Sequence, residues 1–225
     1  MTPHILLINP NSSVATSDMM QAIAQRAAAG RLDVKVVTAD RSPTMIVTPE
    51  ALTASAAQVV ELGTAHGRDC VGIIVSAFGD PGLAELRRKV NVPVVGICEA
   101  SMIEASQGGR RFAIATSTPE LVEAIDQRAQ DLGLSHIYAG VRCTAGDPLA
   151  LAADADLLAE ALAGAVRECI ELDGAEAVII GGGPLGQAAE QLRTRFGRPV
   201  LGPIPAAVER VFSLIDEAGA VPKAI

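Results

Sequence analysis

Two segments of this chain are each answered by a similar segment in its second half. LLINPNSS at 6–13 matches AIATSTPE at 113–120, and IIVSAFGDPGL at 73–83 matches VIIGGGPLG at 178–186. Each is an apolar run that breaks into small or polar residues where a helix should open. The offset is about 105 residues for both pairs, as expected if one α/β lobe has been duplicated. Strands alternate with helical patterns of roughly ten to fifteen residues throughout, which implies βαβ units and mainly parallel sheets. In open parallel sheets the ligand crevice lies at the carboxyl ends of the strands. Four such ends would therefore face one another across a cleft between two lobes.

The pattern predicts strands at 4–9, 33–38, 70–76 and 93–97 in the first half, with helices near 14–29, 49–67, 81–90 and 99–107. The second half restarts with strands at 111–115, 136–142, 176–181 and 199–201. Its helices are expected at 119–132, 152–173, 185–196 and 205–218. The first lobe is taken as 1–98 plus 206–225 and the second as 99–205.

Composition removes several classes of function. The chain of 225 residues carries a formal net charge of −8, which opposes nucleic acid and anionic membrane surfaces as partners. Aromatic residues make up only 2%, too few for platforms on which bases stack. No run approaches the roughly 20 apolar residues of a spanning helix, and the first residues resemble a strand rather than a signal peptide. A cytoplasmic protein acting on a small molecule is expected, with a homo-oligomer as its assembly. The four cysteines (Cys70, Cys98, Cys143 and Cys169) have no CxxC spacing, and the three histidines lie far apart. No local metal motif results, and no cofactor is expected.

Candidate site residues follow from the strand ends. Asn11 and Ser12, at the turn that opens the first helix, offer amide, hydroxyl and backbone N–H groups to a carboxylate or carbonyl; plain capping chemistry is the alternative. Thr116 and Ser117 repeat this at the matching edge. Ser76, Ala77 and Phe78 end one central strand, and Gly182, Gly183 and Pro184 follow the other. Ser76 has no histidine near it in sequence and is read as a binding hydroxyl. Gly181-Gly182-Gly183-Pro184-Leu185-Gly186 satisfies GxGxxG, but no acidic residue lies about 20 positions on to hold a ribose. The glycines are read as permitting close approach of a ligand. Three residues could carry protons: Glu99 and Cys98, after the strand at 93–97, and Asp80, which also suits a turn or cap. A helix N-terminus would favour the Cys98 thiolate. Cys70 and Cys169 look structural, and Cys143 stays open.

With INPNSS (8–13), FGDPGL (78–83), VVGICEAS (94–101), RRFAIATS (110–117) and AVIIGGGPL (177–185) in view, the chain resembles the aspartate/glutamate/hydantoin racemase superfamily, nearest its hydantoin and allantoin racemase branch. The resemblance implies an α/β fold of two similar lobes with mainly parallel sheets, related by a pseudo-twofold, and an active site in the cleft between them. It also implies two cysteines facing each other across that cleft, one taking the α-proton while the other donates from the opposite face. The matching positions here are Ala77 and Gly182, and neither can carry a proton. The expectation is therefore a cofactor-independent enzyme acting on a small cyclic amide or related carboxylate. Its chemistry would have diverged to a lyase or hydrolase type, such as desulfuration, ring hydrolysis or decarboxylation. The alternatives are a racemase using Cys98, Cys143 or Glu99, and a non-catalytic small-molecule binding protein.

Overall fold

A computed structural model describes residues 2–217. The last expected helix and the first-lobe segment 206–225 both run past this limit, so their residues from 218 onward lie outside the described residues. The first half runs β1 (His4–Asn9), α1 (Val14–Ala28), β2 (Asp33–Thr38), α2 (Pro49–His66), β3 (Gly72–Val75), α3 (Leu83–Lys89) and β4 (Val94–Gly96), and α4 (Ile97–Ala105) spans the expected boundary between residues 98 and 99. The second runs β5 (Phe112–Thr116), α5 (Val122–Asp131), β6 (Tyr138–Cys143), α6 (Pro148–Ala152), α7 (Ala155–Glu171), β7 (Ala177–Ile180), α8 (Gly186–Leu192) and β8 (Val200–Leu201). The final helix α9 (Pro203–Glu217) packs back on α1, α4, β3 and β4 of the first lobe.

The two four-stranded sheets are wholly parallel and have the same topology, β2-β1-β3-β4 and β6-β5-β7-β8. Their strand ends are bonded alike: Ser76 N–H donates to Ile8 O, and Gly181 N–H to Ala115 O. The two-residue period of each strand divides its side chains between two cores. Ile5, Leu7, Ile74 and Val95 of one sheet share a core with Phe112, Ile114, Ala177 and Ile179 of the other. The residues between them face outward, Leu6, Ile8, Ile73 and Val75 toward α2 and α3, and Ala113, Ala115, Val178 and Ile180 toward α7 and α8. The inner faces of both sheets thus contribute to one apolar core with α1, α4 and α9.

Local side-chain caps set several helix starts. Ser13 accepts from Thr16 N–H at α1, Thr48 from Ala51 N–H at α2, and Asp154 from Asp156 and Leu157 N–H at α7. The expected helix 152–173 divides at Ala153–Asp154, because Asp147-Pro148 caps and opens the separate short helix α6. The expected helix 99–107 starts two residues early, at Ile97, directly after β4. Cys98 and Glu99 are therefore first-turn helix residues and not the continuation of a strand end.

The glycines after β7 govern how closely the lobes meet. A Cβ on Gly181 would lie 2.7 Å from Ile114 Cγ2 of its own lobe and 3.1 Å from the Phe78 ring, and one on Gly183 would lie 2.7 Å from Ser76 O and 2.9 Å from Met20 Sδ. A Cβ on Gly186 would meet Ile23 at 2.6 Å. The space beside Gly183 and Gly186 is thus occupied by the opposite lobe, and that beside Gly181 by Ile114 of its own lobe together with Phe78. Gly183→Ala should lower stability by about 1–3 kcal/mol, because backbone as well as a side chain must move. Gly197→Ala, where a Cβ meets nothing within 4 Å, serves as the control. Thermal denaturation should show a fall of roughly 2–10 °C for the first and little change for the second.

Candidate active site

A cavity enclosing about 470 Å³ of atom-free space, including that open to solvent, lies where the strand ends of both lobes converge. The first lobe contributes Asn11 after β1, Ser76-Ala77-Phe78 after β3, and Met45, Ile46 and Leu52 from the β2–α2 connection and α2. The second contributes Ser117, Thr118 and Leu121 after β5 and the run from Gly181 to Leu185 after β7. Of the expected binding residues, the cavity gathers Asn11, Ser76, Ala77, Phe78, Ser117, Gly182, Gly183 and Pro184. Ser12 is not among the lining residues; its amide bonds Pro43 O in the neighbouring loop. Thr116 lies just behind, its hydroxyl donating to Gly181 O at 2.7 Å and contacting Thr118 Oγ1 at 3.1 Å.

Hydrogen bonds within the protein fix which valences remain for a ligand. The Asn11 Oδ1 accepts from Asn9 Nδ2 and from Ser13 N–H, so its own Nδ2 stays available as a donor. The Ser76 hydroxyl donates to Ile8 O at 2.7 Å, which leaves its oxygen to act as an acceptor. The Ser117 hydroxyl is buried and has no partner among the described residues. The amides of Ala77, Phe78 and Ser117 likewise donate to no acceptor among the described residues. Buried polar groups are normally paired, so this concentration of unused valences makes the cavity the candidate binding site. No lining residue is Asp, Glu, His, Cys, Lys or Arg.

The three expected proton carriers lie elsewhere, each for a clear reason. Glu99 is almost fully buried in a two-pronged ion pair with Arg87, whose guanidinium also donates to Val94 O. Both side chains line a separate hollow beside Arg210 and Leu214. One helical residue step, about 100°, separates Glu99 from Cys98, which turns inward. Cys98 is fully buried in the core shared by the two sheets, and desolvation drives its thiol well above the ordinary range. The helix N-terminus does not make it a thiolate, because its surroundings are apolar and Asp80 lies close. Asp80 caps α4: Oδ1 and Oδ2 accept from Cys98 N–H and Glu99 N–H, each at 2.9 Å. Arg128 Nε of α5 stands 3.5 Å from Oδ2. Burial pushes the Asp80 pKa up to about 7, opposed by Arg128 and the two amides.

The remaining cysteines lie outside the cavity lining. Cys70 and Cys169 are buried, and Cys143 is partly buried at the end of β6, where desolvation raises its thiol. Among the described residues no group of three or more His, Cys, Asp or Glu could hold a metal, and no helix is long and apolar enough to cross a membrane. The apolar wall of the cavity (Met45, Ile46, Leu52, Leu121 and Leu185) is what a search for polar strand-end residues overlooks. Its one local signal is Met45-Ile46, which opens a short apolar run (45–47) directly after the stretch 40–44, where no residue is a large hydrophobic.

With this geometry established, known proteins supply a context. A family model described as Asp/Glu/Hydantoin racemase matches residues 5–211. A hydantoin racemase of Paenarthrobacter aurescens is 28% identical over 214 residues, covering 94% of this chain and 90% of that protein. The allantoin racemase from Klebsiella pneumoniae superposes with a TM-score of 0.90 at 28% identity, over 96% of this chain and 89% of that one. The allantoin racemase from Pseudomonas fluorescens gives a TM-score of 0.89 at 25% identity, over 99% and 98%.

The position of Asp80 leads to a stability test. Asp80→Ala leaves two buried amides without their acceptor and the Arg128 guanidinium without its countercharge, and should cost about 3–5 kcal/mol. Asp80→Asn retains one acceptor but turns an NH₂ toward the other amide, for a loss of about 1–3 kcal/mol. Urea denaturation of the two variants should give this order.

Proposed function

The chain belongs to the Asp/Glu/hydantoin racemase family, and from that premise we propose that it is a cofactor-independent enzyme acting on a small, uncharged cyclic amide of the hydantoin type, by lyase- or hydrolase-type chemistry. The observation that carries this reading is the makeup of the cavity, which offers hydrogen-bond donors and an acceptor from both lobes but no titrating side chain. A zwitterionic amino acid would leave its ammonium and carboxylate without countercharges there, at a high desolvation cost. A cyclic amide presents C=O and N–H edges. Asn11 Nδ2, the Ser117 hydroxyl and the free amides suit the carbonyls, and the Ser76 oxygen suits a ring N–H.

The same donors would stabilise negative charge developing on a ring oxygen. Ring hydrolysis is the simplest such case. A water oxygen adds to a ring carbonyl carbon, the ring C–N bond breaks, and the departing nitrogen receives a proton that originates in water. Two-base racemisation instead needs a protein acid and a base on opposite faces of the α-carbon. Ala77 and Gly182, the positions at which the family resemblance places thiols, supply neither. The absence of any titrating group equally favours a second reading, binding without turnover.

One experiment distinguishes these. The protein is incubated with enantiopure 5-methylhydantoin in heavy water, and deuterium uptake, optical rotation and ring-opened product are followed together. Ring opening without inversion or exchange is expected. Rapid exchange with inversion overturns the proposal, and a rise in melting temperature with no product selects the binding reading. The double variant Ala77→Cys/Gly182→Cys should gain measurable α-proton exchange. At Gly182 the added Cβ meets only the Leu185 side chain, at 2.9 Å, and a shift of that residue accommodates it.

A further inference from the structure

The first-lobe side of the cavity is carried by a tight turn after β3. Asp80 N–H donates to Ala77 O at 3.0 Å and closes it. Gly79 and Asp80 have positive φ, 123° and 53°. A non-glycine residue is uncommon in that conformation and keeps it only where the surroundings impose it. Ala77 and Phe78 sit inside the turn, and their amides bond no acceptor among the described residues. No bond of their own therefore holds these two N–H groups in direction.

Arg128 of α5 reaches the turn from the second lobe. Its Nη2 donates to Gly79 O at 3.4 Å, and its Nε stands 3.5 Å from Asp80 Oδ2. Among the described residues no other second-lobe side chain donates to residues 77–80. An arginine on a helix surface can extend into water, yet this side chain is only 22% exposed and its Nε is buried without a hydrogen bond. The guanidinium is thus kept at the turn at some cost in solvation. Its planar fork addresses the Gly79 carbonyl and the Asp80 carboxylate together, which a point charge does not do.

We infer that Arg128 is a positioning residue, acting through Gly79 and Asp80 to fix the direction of the Ala77 and Phe78 amides toward a ligand. The inference rests on reading the cavity as the site of a hydantoin-like ring, whose carbonyl those amides would meet. Ser76, bonded to Ile8 O, anchors the turn where it leaves β3. Arg128 anchors its other end from the opposite lobe, so the two lobes together set the donors that neither holds alone.

The test uses the whole protein with ¹⁵N at phenylalanine, of which the chain has four; Phe78→Leu identifies the Phe78 signal. In the unaltered protein the Phe78 N–H should have the order parameter of rigid backbone, about 0.85, as should Phe112 and Phe212 of the core. Arg128→Ala should lower the Phe78 value toward about 0.6 and leave Phe112 and Phe212 unchanged. Arg128→Lys keeps the charge but not the fork, and should lower it too. A role in stability alone would reduce the melting temperature and leave Phe78 rigid; that result overturns the inference. Full rigidity in Arg128→Lys also overturns it, because charge would then suffice. Should Arg128→Ala lose the native spectrum, Arg128→Lys carries the same decision. 5-Methylhydantoin should shift the Phe78 signal of the unaltered protein and bind Arg128→Ala at least tenfold more weakly. If it shifts no signal, the ring reading fails, and the order parameters still decide the role of Arg128.

Discussion

The buried Asp80 carboxylate holds together the region on which the site depends. Helix α4 follows β4 with no residue between them, so it has no local side chain to cap its first amides. Asp80 supplies that cap from the β3–α3 turn, and it needs the space that a side chain at position 96 would fill; a Cβ on Gly96 would come within 2.2 Å of the Asp80 carboxyl carbon. To reach it, Asp80 adopts a left-handed backbone with φ of 53°. Its neighbours Gly79 and Gly82 also have positive φ and pack against Leu52 and the α2 backbone. The cost of burying the charge is offset only in part by two amides, the positive end of a helix, and Arg128 from the second lobe. A single carboxylate thus shapes the turn after Phe78, starts α4 and links the lobes.

This role explains both what was legible in the sequence and what was not. The strand ends were readable because a buried parallel strand must be a short apolar run, and a chain turning from it into a helix needs small or polar residues. Repetition of that pattern revealed the paired lobes, and Asn11, Ser76, Ala77 and Ser117 were located by the same logic. The directions of Cys98 and Glu99 were not readable. They depend on where α4 begins, and that is set by a carboxylate 18 residues earlier in the chain. A shift of two residues in the helix start turns the thiol into the core and the glutamate toward Arg87.

The triple glycine shows the same limit from another side. In sequence it satisfies a phosphate-binding pattern and equally suits close approach by a small ligand. In the structure Gly183 and Gly186 accommodate the Ser76 carbonyl with Met20, and Ile23, from the first lobe, while Gly181 accommodates Ile114 of its own lobe and Phe78 of the first. Which partner fills the space of a missing side chain is a property of packing between lobes, and local spacing carries no record of it.

Gly182 stands apart from those three, and its position together with Ala77 bears on how the site relates to the fold. The side-chain directions at the other strand-end glycines are filled by core residues, Ile114 and Phe78 at Gly181 and first-lobe residues at Gly183 and Gly186, while at Gly182 the neighbour is one movable leucine. Ala77 contacts the small apolar cluster of Leu52 and Leu121 at the cavity wall and takes no part in the large core shared by the sheets. The two positions that would face each other across a bound ring are therefore among those least constrained by the packing that holds the lobes together. Asp80, Gly96 and Gly183 could remain fixed while positions 77 and 182 changed their chemistry. The polar rim would then persist because it is built on strand ends and turns, whose backbone bonds to Ile8, Ala115 and Gly181 hold the scaffold itself. A cleft constructed in this way places the polar rim on the scaffold and leaves positions 77 and 182 largely free of it.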